Sequence, residues 1–353
     1  SRTDRSWYRA LFMKFRSVLS FSALAFASLA AAQAISISID TSFGGDGQLN
    51  NSDSGITFLA SADNAARGLA YNPTTGNLVV SSRTGGNGLY VVSPTGTVVS
   101  TGNLTGVTGG SALVWDRVAV TSDGRIYGAN VVSNVSTSPL KIYTWDNEAG
   151  LANAPTVAYN GSARNTASRI GDTLDAYGTT LFAGYNTAAP GTGVGAFTGG
   201  ASLAYTDVAE TGGTNGTFRL GTGSNAVIAN APGVSANERL MDYAVFNGVA
   251  FLATVETGGT AANRVRIYRE TAPGQLDFRA AFTPTFTANA NGNGVGSLAW
   301  GAFDANTSTA SLYAMNTNNG IIKYTVSGVP EPASMAVLGL GLAAFRRRRS
   351  VKK

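Results

Sequence analysis

The chain has 353 residues and a formal net charge of +5, with 44 glycines and neither cysteine nor histidine. The missing cysteine excludes disulfides, thiolate metal sites and thiol nucleophiles, and the missing histidine removes the commonest general base, the Ser-His-Asp triad and most zinc chemistry. Only 13% of residues are charged, a composition that suits β-structure with many tight turns and gives a chain long enough to bury a large core.

At the N-terminal end, Met13-Lys14-Phe15-Arg16 supplies two cations before an apolar stretch from Val18 to Ala32. The stretch closes on Ala32-Gln33-Ala34, a small-x-small cleavage pattern. Residues 13–34 therefore read as a secretory signal peptide for the general secretory (Sec) machinery, cleaved after Ala34 to leave Ile35 as the mature N-terminus. Residues 1–12 have no part in that scheme and read as a mis-called start or residues added to the chain.

Ile35-Ser-Ile-Ser-Ile39 alternates strictly and predicts an edge strand. It is expected to complete the last unit of the fold beside Gly320–Thr325, protecting both edges. Next, Asp40-Thr-Ser-Phe-Gly-Gly-Asp46-Gly47 could offer Asp40 and Asp46 oxygens to calcium. It lacks the spacing and terminal glutamate of an EF-hand, so it is a weak calcium candidate, and no other metal or cofactor is expected.

From Gly68 onward a short apolar strand, a turn rich in Gly, Asn, Asp or Pro, and a returning strand recur. Gly68–Tyr71 turns at Asn72-Pro73-Thr74-Thr75-Gly76 and returns from Leu78. Gly88–Val92 turns at Ser93-Pro94-Thr95-Gly96. Further turns fall at Asp123-Gly124 and Asn247-Gly248. Return strands centre near residues 79, 127, 182, 251 and 313, and Asn225–Asn230 offers one more unit in the longest gap. A lone meander has two apolar faces and can bury neither; meanders packed radially bury both. The expectation is an all-β β-propeller of five to seven four-stranded blades over residues 35–328, with a β-sandwich or β-solenoid as the alternative. In pattern only, the repeats resemble NHL and lactonase-type propellers.

Candidate chemistry in this body is sparse. Asp172 with Asp175, Asp207 with Glu210, and Glu238 with Asp242 are acidic pairs of the kind that serve glycoside hydrolysis when they face each other across a cleft. Turn capping is the commoner use of such residues and the favoured reading of each pair. Tyr71, Trp115, Trp145, Tyr185 and Trp300 could stack on sugars, although packing between blades is the commoner use of strand aromatics. An enzyme would bring three or more Asp, Glu or Asn side chains to the central channel; a channel of Ala, Gly and Val would favour a binding module.

The chain ends on Val329-Pro330-Glu331-Pro332, an apolar run from Ala333 to Phe345, and Arg346-Arg347-Arg348-Arg349 before a short basic tail. As a helix the run would span about 20 Å, short of a hydrocarbon core of about 30 Å. The arginines favour the cytoplasmic side, and the prolines keep the box extended, as a protease cleft requires. This ordered triple over residues 329–353 resembles the PEP-CTERM sorting signal of Gram-negative bacteria. The resemblance implies a short transmembrane sorting helix, a transient inner-membrane tether and cleavage by the membrane protease exosortase near Pro330-Glu331-Pro332. It also implies delivery to the outer envelope, the exterior or the extracellular matrix, where exopolysaccharide is a candidate partner. The two ends hold 11 of the 25 basic and 2 of the 20 acidic residues, leaving the body with 14 and 18, a net −4. The basic balance of the chain thus belongs to its targeting segments, and no nucleic-acid partner is expected. The body reads as a non-catalytic binding or structural module, with a secreted carboxylate enzyme, lactonase-like or carbohydrate-active, as the alternative.

Overall fold

The computed structural model describes residues 34–329, apart from 164–167, 188–191, 209–216, 219–226, 229–237, 259–261 and 273–274. Residues 1–33, with nearly all of the expected signal peptide, and residues 330–353 lie outside the described residues. Two short N-terminal strands, β1 (Ser36–Ile39) and β2 (Gln48–Leu49), precede the first meander. Blade 1 comprises β3 (Gly68–Tyr71), β4 (Leu78–Ser82), β5 (Gly88–Val92) and β6 (Val98–Thr101). Blade 2 comprises β7 (Leu113–Val120), β8 (Ile126–Val131), β9 (Leu140–Trp145) and β10 (Thr156–Gly161). Blade 3 follows with β11 (Ser168–Tyr177), β12 (Thr180–Thr187), β13 (Thr192–Thr198) and β14 (Ala204–Val208). A two-stranded ribbon, β15 (Thr217–Phe218) and β16 (Val227–Ile228), comes next. Blade 4 holds β17 (Glu238–Phe246), β18 (Val249–Glu256), β19 (Val265–Ala272) and β20 (Gln275–Phe282). Blade 5 holds β21 (Gly296–Asp304), β22 (Thr309–Asn316) and β23 (Ile321–Ser327), with β1 as its outer strand.

The body is therefore a five-bladed, all-β propeller-like ring, and the five return strands read from the sequence are β4, β8, β12, β18 and β22. The extra unit near Asn225–Asn230 contributes to the ribbon, not to a sixth blade. Local chemistry sets the hairpins. Asn247 and Gly248 both take positive φ, 50° and 78°, as a two-residue type I′ turn requires. The Asn72 side chain accepts from the Thr74 backbone N–H at 3.0 Å and closes the first turn.

Apolar side chains fill the seams between blades. Trp115 and Trp145 meet edge-to-face at 6.2 Å in a cluster with Val79, Leu89 and Val118 that joins blades 1 and 2. Leu240, Trp300, Leu312 and Tyr324 join blades 4 and 5. Between blades 3 and 4 the seam is thinner: among the described residues, buried Tyr243 lies 6.4 Å from the half-buried ring of Tyr177.

The ring closes through its N-terminus. β1 pairs antiparallel with β23, Ser36 opposite Ser327 and Ile39 opposite Tyr324, and Gln48 opposite Ile322 carries the same edge onward. The loop between, Asp40–Gly47, sends Phe43 into the core, fully buried and 5.8 Å from Tyr313. Its Gly44 N–H donates to Thr95 of blade 1 at 3.1 Å. Lys323 completes the clasp, with its Nζ 2.9 Å from Asp40 and 3.2 Å from the Pro94 carbonyl oxygen. Phe43→Ala is expected to cost about 3–5 kcal/mol in urea unfolding. Deletion of residues 35–40 should lower the melting temperature by many degrees. An unchanged melting temperature in the deletion would contradict closure by β1.

Candidate functional site

The innermost strands β3, β7, β11, β17 and β21 surround the axis, and a cleft of about 150 Å³ lies among them, reaching the starts of β17 and β21 at Arg239 and Gly296 and the middles of β11 and β17 at Asp175 and Asp242. Leu69, Leu174, Phe182, Val194 and Leu298 form its apolar walls; Arg117, Asp175, Arg239, Asp242 and Ser297 bring the polar groups. A cavity of this volume accommodates one six-membered ring.

Irregularities in the inner strands aim these polar groups. Register slips between Leu113 and Arg117 in β7, between Ile170 and Leu174 in β11, and between Glu238 and Leu240 in β17. Extra residues in one strand bend it and re-aim its side chains, a habit of site-bearing strands. In β11 the slip holds Gly171 at φ 103°, where a Cβ would stand 2.2 Å from the Asn130 carbonyl oxygen. No other residue fits there.

Beside the cleft one fully buried carboxylate, Asp116, meets three guanidinium groups. Arg83 lies at 3.0 Å, Arg117 at 3.2 Å and Arg67 at 3.6 Å. Arg117 also donates to the carbonyl oxygens of Arg67, at 2.5 Å, and Gly296, tying three inner strands together. Burial pulls the Arg67 pKa below its ordinary value, against the attraction of Asp116 and together with the repulsion of Arg83 and Arg117. Around the same end Arg169 forms a bidentate pair with Asp172, at 2.5 and 2.7 Å.

Asp175 and Asp242 face the cleft from β11 and β17, across the thin seam between blades 3 and 4. Asp242 accepts the Trp300 N–H at 2.5 Å and the Tyr243 N–H at 2.7 Å. Asp175 accepts the Ala176 N–H at 2.8 Å. Enclosure by protein, reinforced by the charge of Asp242, raises Asp175 well above the ordinary carboxyl range. Enclosure also lifts Asp242 to about 7, although the Trp300 and Tyr243 N–H groups oppose it. Both carboxyls of the cleft thus hold their protons to higher pH than an ordinary aspartate, as acid–base chemistry near neutrality requires.

Of the acidic pairs Asp172 with Asp175 and Glu238 with Asp242, one member each, Asp175 and Asp242, lines the cleft. Asp172 is engaged by Arg169, and Asp207 accepts the Tyr205 hydroxyl. Glu238 is buried in a blade 4 network with Arg266 at 3.0 Å and the Tyr268 hydroxyl at 2.9 Å. Glu210 lies outside the described residues. Each useful partner comes from another blade, which sequence spacing does not reveal. One signal was available: Arg67, Arg117, Arg169 and Arg239 recur around the start of successive inner strands, each just before Gly-Leu, Val-Ala, Ile-Gly or Leu-Met.

The aromatics divide likewise. Trp115, Trp145 and Trp300 are buried and Tyr71 is half-buried, while the Tyr185 side chain lies outside the described residues. In the calcium candidate, Asp40 binds Lys323, and Asp46 accepts the Gln48 N–H at 2.9 Å. Among the described residues no three His, Cys, Asp or Glu side chains form a group that could hold a metal. The channel thus carries two carboxyls, with arginines beside them.

Comparison with known proteins bears on the tail. Residues 328–350 match the PEP-CTERM protein-sorting motif. The motif implies export through the envelope and processing by exosortase, and the match covers the tail alone. No curated protein sequence matches the chain. Among solved structures the chain is similar to a luciferin-regenerating enzyme, at 11% identity and TM-score 0.44, over 84% of this chain and 96% of the other. It is also similar to U3-55K, at 10% identity and TM-score 0.41, over 76% and 97%. A protein of the GH130 family of mannoside phosphorylases aligns at 12% identity and TM-score 0.40, over 76% and 85%.

The carboxyl pair makes stability depend on pH. A folded-state pKa of about 7 for Asp242 exceeds the unfolded aspartate value of about 3.9. The contribution is full below the unfolded value and is lost as pH rises through the folded one. Urea midpoints should therefore fall between about pH 4 and pH 7, and Asp175→Asn should flatten that slope by removing the second raised carboxyl. An equally steep slope in the variant would contradict a raised Asp175.

Proposed function

We propose that the chain is an envelope or extracellular-matrix protein. It is exported by the Sec route, tethered briefly in the inner membrane by its C-terminal segment, and released from that tether by exosortase near Pro330-Glu331-Pro332. The observation that carries this reading is the junction itself. Val329 is buried, at 1% exposure, with its N–H donating to the Ser308 carbonyl oxygen at 3.1 Å, and the next residue opens the box. The packed body ends where the sorting motif begins, so cleavage would leave the ring whole. Ala32 and Ala34 serve signal cleavage, and Arg346 to Arg349 stop the tail at the cytoplasmic side. Glu331→Ala with Pro332→Ala should shift the protein from the processed pool to the membrane-retained pool; normal processing would sink the assignment.

The body acts in this proposal as a binding module for a neutral, hydroxyl-rich ligand, such as a sugar unit of exopolysaccharide, taken at the axial cleft. Support comes from apolar walls for a ring face and from donors and acceptors side by side. Thr173→Trp, which fills the cleft from an exposed lining position, should weaken glycan binding at least tenfold, by a rough hot-spot scale of 1.4 kcal/mol, with melting unchanged. The Asp175–Asp242 pair favours a second reading, a carbohydrate-active enzyme with one carboxyl as acid and the other as base or nucleophile. Release of reducing sugar, lost in both Asp175→Asn and Asp242→Asn, would establish it over the binding module. The calcium candidate at Asp40 and Asp46 is tested by melting with and without calcium. The Lys323 ion pair predicts no shift.

A further inference from the structure

The two ends of the body leave the ring at one corner, on the face opposite the cleft. Strand register and the lining of the cleft place them so. In blade 5, Gly296, which lines the cleft with Ser297 and Leu298, pairs with Asn316 at one end of the strands. At the other end Asp304 pairs with Thr309, Thr309 with Ser327, and Ser327 with Ser36. Ser36 opens β1 and Ser327 closes β23, so Ala34 and Val329 both emerge at the far end. The two chain ends run side by side there: a Cβ on Gly328 would lie 2.3 Å from the Ala34 carbonyl oxygen.

The exit is short. Val329 is packed into the body, and the apolar run begins at Ala333. Four residues span at most about 14 Å, less than the radius of gyration of roughly 19 Å expected for a body of this size. A body on so short a tether has little freedom to roll over. Nor does the exit face bind lipid by charge. Its turns and strand ends carry Asp123, Asp146, Glu148 and Asp304 against Arg125, which is paired to Asp146. Anionic headgroups are held by clustered lysine and arginine, which these described residues lack.

We infer that the tethered protein stands with the strand ends around Asp304 and Ser327 toward the inner membrane and exosortase, and with the axial cleft pointing away. The inference rests on the tether reading above. The cleft is then open to ligand before processing as well as after it, and cleavage detaches the body without changing its accessibility. The protease meets its box at the corner shared with the mature N-terminus, against an acidic face that does not cling to lipid.

Single cysteines test the orientation, because the chain has none of its own. Asn87→Cys lies in the β4–β5 turn on the cleft side, and Asn306→Cys in the β21–β22 turn beside the exit; both positions are exposed. The full chain is produced in a secretion-competent bacterial host without exosortase, and intact spheroplasts are treated with a bulky membrane-impermeant maleimide. Asn87→Cys should react at equal rates in the tethered chain and in detached residues 35–329. Asn306→Cys should react several-fold more slowly when tethered. Equal rates for Asn306→Cys, or slowing of Asn87→Cys, would overturn the orientation while leaving the tether intact. Extraction of the full chain by alkaline carbonate would instead overturn the tether reading, and the orientation with it.

Discussion

Antiparallel pairing of β1 with β23 is the constraint on which the rest depends. Five meanders in a row leave two open edges, and a propeller core is sealed only when the chain ends meet. Here the first described residues supply the last strand, and Phe43, Asp40 and Lys323 clamp that strand to blade 1. Closure also fixes what can be removed. The clasp is complete within residues 34–329, so cleavage outside that range would leave the ring closed.

The same closure explains an unusual composition. An exported body with no cysteine cannot be stapled. Its stability rests on the seams, where Trp115 against Trp145 and Leu240 with Trp300 provide broad apolar contact. The seam of blades 3 and 4 is the exception, and the axial cleft opens there with Asp175 and Asp242 on either side. A tightly filled seam would have no room for a ligand. Half-burying two carboxyls works against stability as pH rises, and the network of Arg117, Asp116 and Ser297 holds the neighbouring inner strands in register around that weakness.

Much of the architecture was legible in the sequence, because it is written in local chemistry. Asn247-Gly248 can hardly be anything but a hairpin turn, and the alternation of Ile35, Ile37 and Ile39 marks an edge strand. The tail was legible for a similar reason: box, apolar run and arginines are contiguous. The site was not. Asp175 meets Asp242 across 67 positions of chain, and a slip in β11 decides where Asp175 points. Sequence spacing offered Asp172 and Glu238 as their partners, and arginines had already claimed both. Blade number stayed open at five to seven because Val227-Ile228 has the look of a strand, and only pairing shows that among the described residues it has one neighbour.

Intact-mass analysis of the protein from its host's envelope and medium tests the account most directly. The account predicts one species that begins at Ile35 and ends beyond Val329, with the strands of the clasp complete. A native product that still carried Met13 and Lys353, or that had lost residues 35–39 and remained folded, would contradict it.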